Sequence, residues 1–588
     1  EDAGPWKNRI VMMADDGDSN EHAEDAERVC NAIAQGGKKR FTVDKVYWDY
    51  YNRVPGATSL TYPAASAAIE QAITSGAALF NYSGHGSPTV ISNEKTLVLD
   101  DFKRFSAPHL GLWVLASCEI YPFDSRENNL ADVFLFRPNS GAVAFMCATR
   151  AVYATQNNAL NIEFCKRLLT RDQQGKLTTM GEALRQAKNE LISSQSDLTI
   201  NKMKYVLFGD PAIPLSVPTG TAVLDSIDGK ALSSSSNVRL SAGQVVTFSG
   251  HIEGGENNST VDQIFNGTLT AEIYDRDETR TCKDNDGSAA RVGRRPLTFT
   301  THGNKVFRGT TRVENGRFTI TASIPRDISY SDEAAKISFY AVSDDKQTEC
   351  NGTNSGFHLN GTAEKASPDT IAPKVVAYLN EVETPEYGVV GRTPTLIADI
   401  SDDSGINTAG TSIGHDIELT LDDDLSSTVS LNEHFTYAPG SYNSGQLVYR
   451  LPTLTPGFHT MTLRVWDVNN NSTTQRLGFI VSDGAGQGTR VYSTVNPAST
   501  HTTFVAGFPT VGENEATIVW EVFDRTGKPI WTKHNTVAAK SGTAAVAWNL
   551  RSNDGLLSPE GVYIVKATLK ANGQKAQQAT QKLIIVRP

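Results

Sequence analysis

Up to about Pro218, short apolar runs alternate with helical patterns; beyond it the helical pattern almost disappears. Residues 9–14, 41–47, 77–82, 111–116 and 142–148 are compact apolar runs bounded by glycine or polar residues, the pattern of strands buried on both faces. Between and after them, residues 21–35, 62–74, 129–136, 156–169 and 178–193 carry apolar side chains at helical spacing. Such alternation predicts an α/β domain over residues 1–217, a mostly parallel sheet with helices on both faces. It closes with Tyr205-Val206-Leu207-Phe208-Gly209-Asp210-Pro211.

After Pro218, strands of period two recur between Gly, Asn, Asp and Pro turns, as at residues 244–249, 318–324, 336–342 and 460–468. That is the pattern of β-sandwiches. Polar, turn-rich stretches near residues 366 and 485 divide this part into three expected all-β sandwich domains, 218–365, 366–485 and 486–588, the second of them immunoglobulin-like.

The 588 residues carry a formal net charge of −11. A nucleic-acid partner is not expected, because phosphate binding needs basic surface. No apolar run approaches the ~20 residues of a membrane-spanning helix. The opening Glu1-Asp2-Ala3-Gly4-Pro5 carries no leader pattern, so a leader is expected to have been removed or to lie outside this stretch. Cys30, Cys147 and Cys165 sit within apolar periodic segments and read as packing residues, whereas Cys282 and Cys350 lie in polar sequence and would form a disulfide in an oxidising compartment. No Cys-x-x-Cys or His/Cys spacing points to zinc, and no cofactor is expected.

Two strand ends carry the chemistry. The run ending in Asn81-Tyr82-Ser83 leads into Gly84-His85-Gly86-Ser87, and the run ending in Leu115-Ala116 leads into Ser117-Cys118-Glu119. A histidine and a cysteine therefore each sit just past the C-terminal end of a strand, the edge where open parallel sheets place their sites. A cysteine nucleophile needs a thiolate, and a neighbouring imidazole takes its proton. The Gly86 and Cys118 N–H groups are the candidates for an oxyanion hole. The competing reading is a buried Cys and a structural His, the commoner fate of either residue alone. His22 and His109 lack the strand-end context.

At these residues the chain resembles the gingipain family of cysteine peptidases, of the caspase-like clan. The resemblance rests on Asn-Tyr-Ser-Gly-His-Gly-Ser, the strand ending Ala-Ser-Cys and the closing Phe-Gly-Asp-Pro, and spans about residues 6–217. It implies a caspase-like α/β fold with Cys118 as nucleophile, His85 as general base and acid, and Gly86 N–H as oxyanion donor. It also implies an acid after the first strand supporting His85. Met13-Ala14-Asp15-Asp16-Gly17-Asp18 occupies that place, with Asp15 the first choice and Asp16 beside it. A solvated acidic turn or a weak calcium loop is the alternative there. Arginine-specific members hold the substrate's basic side chain with an acid further on, and Glu21-His22-Ala23-Glu24-Asp25 has no clean match.

The last domain, with Val519-Trp520-Glu521-Val522-Phe523-Asp524, Gly561-Val562-Tyr563 and the ending Lys582-Leu583-Ile584-Ile585-Val586, resembles the C-terminal sorting domain of cargo of the bacterial type IX secretion system. A gingipain-like domain joined to such an end is similar to that system's cell-surface sortase. The resemblance implies cleavage of the sorting domain from exported cargo through a Cys118 thioester and transfer of the cargo to an amine on anionic lipopolysaccharide. It implies a place on the outer face of the bacterial outer membrane, with secretion-complex proteins of that membrane as partners. A secreted gingipain-like endopeptidase and a non-catalytic β-rich scaffold are the alternatives.

Overall fold

The computed structural model describes residues 3–587 except 38, 57–58, 126, 139, 173–174, 233–237, 256–257, 364–368, 381–387, 410–414, 483–489, 508–514, 539–542 and 572–574. The expected boundaries near 366 and 485 fall outside the described residues. The chain divides into two compact units, residues 1–366 with 439–441, and residues 367–438 with 442–588.

In the first unit, β1 (Arg9–Ala14), β2 (Thr42–Tyr47), β3 (Leu79–Ser83), β4 (Gly111–Ala116), β5 (Ala142–Ala148) and β6 (Tyr205–Phe208) form one sheet in the order β6-β5-β4-β3-β1-β2. All neighbours are parallel except β5 and β6. Successive side chains of a strand point to opposite faces, so each apolar run feeds two cores. Ile10, Met12, Leu112 and Val114 pack on one face with α1 (Glu21–Gly36), α5 (Ala154–Leu169) and α6 (Met180–Ser193). Val11, Met13, Trp113 and Leu115 pack on the other with α2 (Pro63–Ser75), α3 (Leu99–Arg104) and α4 (Leu130–Leu135). Phe80 stacks on Trp113 at 4.6 Å and carries the β3–β4 pairing into the second core. Helix limits follow local chemistry: Pro63 opens α2 and Gly76, at φ +82°, ends it; Thr179 accepts the Glu182 N–H at the start of α6.

The connection from β2 crosses back over β1 to β3, so the strand order reverses between β1 and β3. That switch opens a crevice at the strands' C-terminal ends, where open α/β sheets bind ligands. The loops after β1 and β3 both emerge there.

In residues 218–366 the main sheet is continuous, and a separate two-stranded sheet pairs Glu278–Thr281 with Thr298–Thr301. The path of the main sheet runs through Gly220–Ile227, Val245–Gly255, Arg317–Ser323, Lys305–Glu314, Gly267–Tyr274, Ala334–Ser343 and Glu349–Thr362. The first and last of these meet through the parallel pairs Gly220↔Cys350 and Thr221↔Asn351. Gly220 permits this closure, since a Cβ there would lie 2.3 Å from Cys350 Sγ. The expected Cys282–Cys350 disulfide is not made. Both are free, buried thiols: Cys282 packs into the α/β core beside Phe299, while Cys350 lies in the closing strand.

Polar contacts tie this β part to the α/β part. Asn8 Nδ2 donates to Ser338 Oγ at 2.9 Å and Asn8 Oδ1 accepts from Asn351 Nδ2 at 2.7 Å. Lys7 pairs with Glu349 at 2.5 Å. Asp44 accepts from Arg9 at 2.7 Å and meets His302 Nε2 at 2.6 Å.

In the second unit, one pair of sheets carries Lys374–Leu379, Thr395–Ser401, Ser444–Arg450 and Phe435–Tyr437 in the first, and Ser472–Val481, Gly457–Trp466 and Glu418–Leu421 in the second. The last segment pairs Arg490–Ser493, Thr502–Gly507 and Thr543–Trp548 in one sheet, and Pro529–Ala538, Glu515–Phe523, Gly561–Ala571 and Gln577–Ile585 in another. Phe504, Trp520, Trp548 and Tyr563 fill the core of that segment. No helix among the described residues is long and apolar enough to cross a membrane.

Burial pushes the Asp44 carboxyl up, but Arg9 and His302 outweigh it and hold the group far below the usual carboxylate range. A depressed folded-state pKa stabilises the fold above the unfolded value of ~3.9, and that stabilisation drains away as pH falls below it. Asp44→Ala is expected to lower unfolding free energy by about 2 kcal/mol at pH 7. The gap to wild type should narrow as pH falls below about 4; denaturant unfolding at several pH values measures both.

Candidate active site

The β3–β4 register places Ser83 opposite Ala116. His85 and Cys118 each lie two residues past that pair, on adjacent strands. The backbones stay side by side beyond the strands: Gly84 N–H donates to Ala116 O and Asp15 N–H donates to Ser83 O, each at 3.4 Å. His85 is fixed through its main chain. Its N–H donates to Asp15 Oδ2 at 2.7 Å, and its C=O accepts from Tyr82 Oη at 2.7 Å and Ser92 N–H at 3.0 Å. Tyr82 Oη also lies 3.2 Å from Asp15 Oδ2. Asp15 is 1% exposed, and burial pushes its carboxyl up against the pull of His22 and the His85 N–H.

Of the six cysteines, Cys118 alone is not buried. Burial pushes the Cys30, Cys282 and Cys350 thiols up to about 12, and those of Cys147 and Cys165 higher still, so none of the five is a ready nucleophile. Cys118 Sγ donates to Val152 O at 3.3 Å. No hydrogen bond joins Cys118 Sγ to the His85 ring among the described residues; the sulfur is turned to the carbonyl. The Cys118 N–H has no acceptor among the described residues. Glu119 follows at φ +48°, a left-handed turn that swings the chain away directly after the thiol and lets its N–H reach Arg150 O at 3.3 Å.

Gly86 begins a short hairpin in which Gly86 pairs with Ile91. Because Ser92 N–H donates to His85 O, the Gly86 N–H points out of that hairpin. A Cβ at Gly86 would lie 2.5 Å from Ser117 Oγ, so its backbone presses against the residue preceding Cys118.

The acids divide their work differently from expectation. Asp15 holds the His85 backbone, not its ring. Asp16 accepts from Tyr62 Oη at 2.6 Å and lies 3.7 Å from Arg53. The carboxylate at the ring is Asp18, whose Oδ2 is 3.1 Å from His85 Nε2. Nδ1 of His85 has no partner among the described residues. His22, in the first turn of α1, stands edge-on to the His85 ring at 5.0 Å. Sequence reading passed over both: Asp18 stood third in its acidic run, and His22 lacked a strand end. The one signal was their i, i+4 spacing across a helix start. Asp25 turns inward, 2.7 Å from Asn158 Nδ2, and burial raises it to about 6.

Asp18, Ser19 and Asn20 all have positive φ, at +55°, +59° and +68°. Three such non-glycine residues in succession cost energy that surrounding contacts must offset. Ser288 supplies two of them from the following β part: Ser19 N–H donates to Ser288 Oγ and Ser19 Oγ donates to Ser288 O, each at 3.1 Å. Next to it, Asp49 accepts the N–H groups of Asp284 and Asn285 at 2.9 and 2.8 Å.

Residues 1–216 match the model of peptidase family C25, the gingipain family, which supports a cysteine peptidase. No curated protein matches the chain. Among solved structures, dimeric latent PorU from Porphyromonas gingivalis aligns at 26% identity over 76% of this chain and 41% of that one, with a TM-score of 0.31. The Arg-specific cysteine proteinase gingipain R (RgpB) aligns at 17% identity over 60% of this chain and 68% of that one, also at 0.31. The chain thus spans about two fifths of the PorU chain it matches.

A Cβ at Gly84 would lie 2.2 Å from Tyr82 Oη and 2.7 Å from Asp15 Cγ, whereas one at Gly391 meets nothing within 4 Å. Gly84→Ala is expected to cost about 1–3 kcal/mol of stability and Gly391→Ala well under 1 kcal/mol. Parallel denaturant unfolding compares them, and equal effects would contradict the described packing at His85.

Proposed function

We propose that the chain is a cell-surface cysteine peptidase and transpeptidase, with a caspase-like catalytic domain, that removes the C-terminal sorting domain from exported cargo and passes the cargo to an amine on anionic lipopolysaccharide. The observation that carries the enzymatic part is that the one thiol outside the core sits at the end of the strand beside His85. The sortase part rests on the final segment, whose Trp520 and Gly561-Val562-Tyr563 strands resemble the sorting domains of type IX cargo.

The reaction follows from the placement. Cys118 Sγ leaves Val152 O and gives its proton to the free Nδ1 of His85, while Asp18 at Nε2 stabilises the imidazolium. The thiolate attacks a peptide carbonyl, and the Gly86 and Cys118 N–H groups receive the oxyanion. His85 then protonates the leaving amine and a thioester remains. Attack by an amine on that thioester gives transfer, and attack by water gives hydrolysis. Tyr153, which follows the Val152 that accepts from the thiol, is 68% exposed, and its N–H donates to Asn201 Oδ1 at 2.9 Å.

The test incubates the full chain with a cargo protein bearing its sorting domain and a small primary amine, and weighs the products. Wild type should release the sorting domain and attach the amine to the new carboxyl end. Cys118→Ala should lose at least ~10³-fold in rate with an unchanged melting temperature. Release without amine attachment leaves a peptidase only; undiminished release by Cys118→Ala removes the proposal.

A further inference from the structure

Asp15, His22 and His85 come from three separate places, the loop after β1, the first turn of α1 and the loop after β3, yet one ligating atom of each lies within 4.8 Å of the others. Two of these groups are buried and unsatisfied: Asp15 Oδ1 and His22 Nε2 make no hydrogen bond, in residues 1% and 5% exposed. They face each other at 3.8 Å, too far for a hydrogen bond and near enough to share a cation. Asp18 Oδ2 borders the trio without belonging to it, 3.3 Å from His22 Nε2 and 3.1 Å from His85 Nε2. Leaving such groups bare in the interior is costly, and nothing else among the described residues satisfies them.

We propose that Asp15, His22 and His85 form a three-ligand binding site for a divalent transition metal of the zinc class. Bonds of ~2.0–2.1 Å from a tetrahedral metal separate its ligand atoms by about 3.3 Å, and Asp15 Oδ1 and His22 Nε2, 3.8 Å apart, lie near that edge. Two imidazoles and a carboxylate select zinc over calcium or magnesium, which take all-oxygen shells. The Cys118 sulfur is directed to Val152 O and is not a ligand. The site shares the Nε2 of His85 with the proposed imidazolium–Asp18 contact, so a bound metal immobilises the ring and bars its protonation. Where the peptidase reading holds, zinc is then a reversible inhibitor.

The test uses the full chain carrying Cys118→Ala, so that no thiolate competes, titrated with Co²⁺ alone and followed by its visible spectrum, after which Zn²⁺ is added. The expected result is saturable one-to-one binding, displaced by Zn²⁺ and not by Ca²⁺, and weakened at least ~10-fold by adding His22→Gln. If that variant does not fold, by circular dichroism, His85→Gln on the half-exposed ring makes the same comparison. No saturable Co²⁺ binding by the Cys118→Ala protein, or binding unchanged by these ligand replacements, overturns the site. Inhibition is read separately on wild type: intact metal binding with uninhibited cleavage counts against the role given to His85 in catalysis and leaves the metal site standing.

Discussion

The pairing of β3 with β4 is the constraint on which the rest depends. Parallel strands bonded with Ser83 opposite Ala116 bring the loops that follow them together. A shift of one residue would turn every side chain of β3 to the other face, moving Phe80 and Tyr82 out of one core and Leu79 out of the other. The register is therefore fixed by packing on both sides of the sheet, and the positions of His85 and Cys118 are a consequence of that packing.

Beyond the strand ends, a small polar framework takes over. Asp15 and Tyr82 hold the His85 backbone from below, Gly84 leaves the room they occupy, and Asp18 reaches the ring through a left-handed stretch that Ser288 steadies. The β part after residue 218 is thus more than a spacer. Its excursion around residues 284–291 reaches the loops of the α/β part, and its closing strand anchors Asn8 immediately before β1.

The α/β pattern was legible because buried parallel strands are short apolar runs and their helices carry an unmistakable spacing. Strands at 9–14, 111–116 and 142–148 agree with expectation residue for residue. Within the site, His85 and Cys118 could be singled out because a strand end followed by glycine or polar residues is a local signal. Asp18 and His22 could not, since what joins them to His85 is the fold of a loop and a helix start through three consecutive positive φ values. The closure of the main sheet of the first β part was hidden for a related reason. It depends on Gly220 lying against Cys350, a meeting of residues 130 positions apart.

His85 acts on the Cys118 sulfur across the gap between two strands in the proposed reaction. The most direct measurement is the rate at which iodoacetamide alkylates Cys118 at neutral pH, in wild type and in His85→Ala, with peptide mapping to confirm the site of modification. A neighbouring imidazole raises the thiolate fraction and with it the rate. Rapid modification confined to Cys118 is expected, with a loss of at least ~10-fold in the variant; equal rates in the two proteins would rule out an imidazole acting on this thiol.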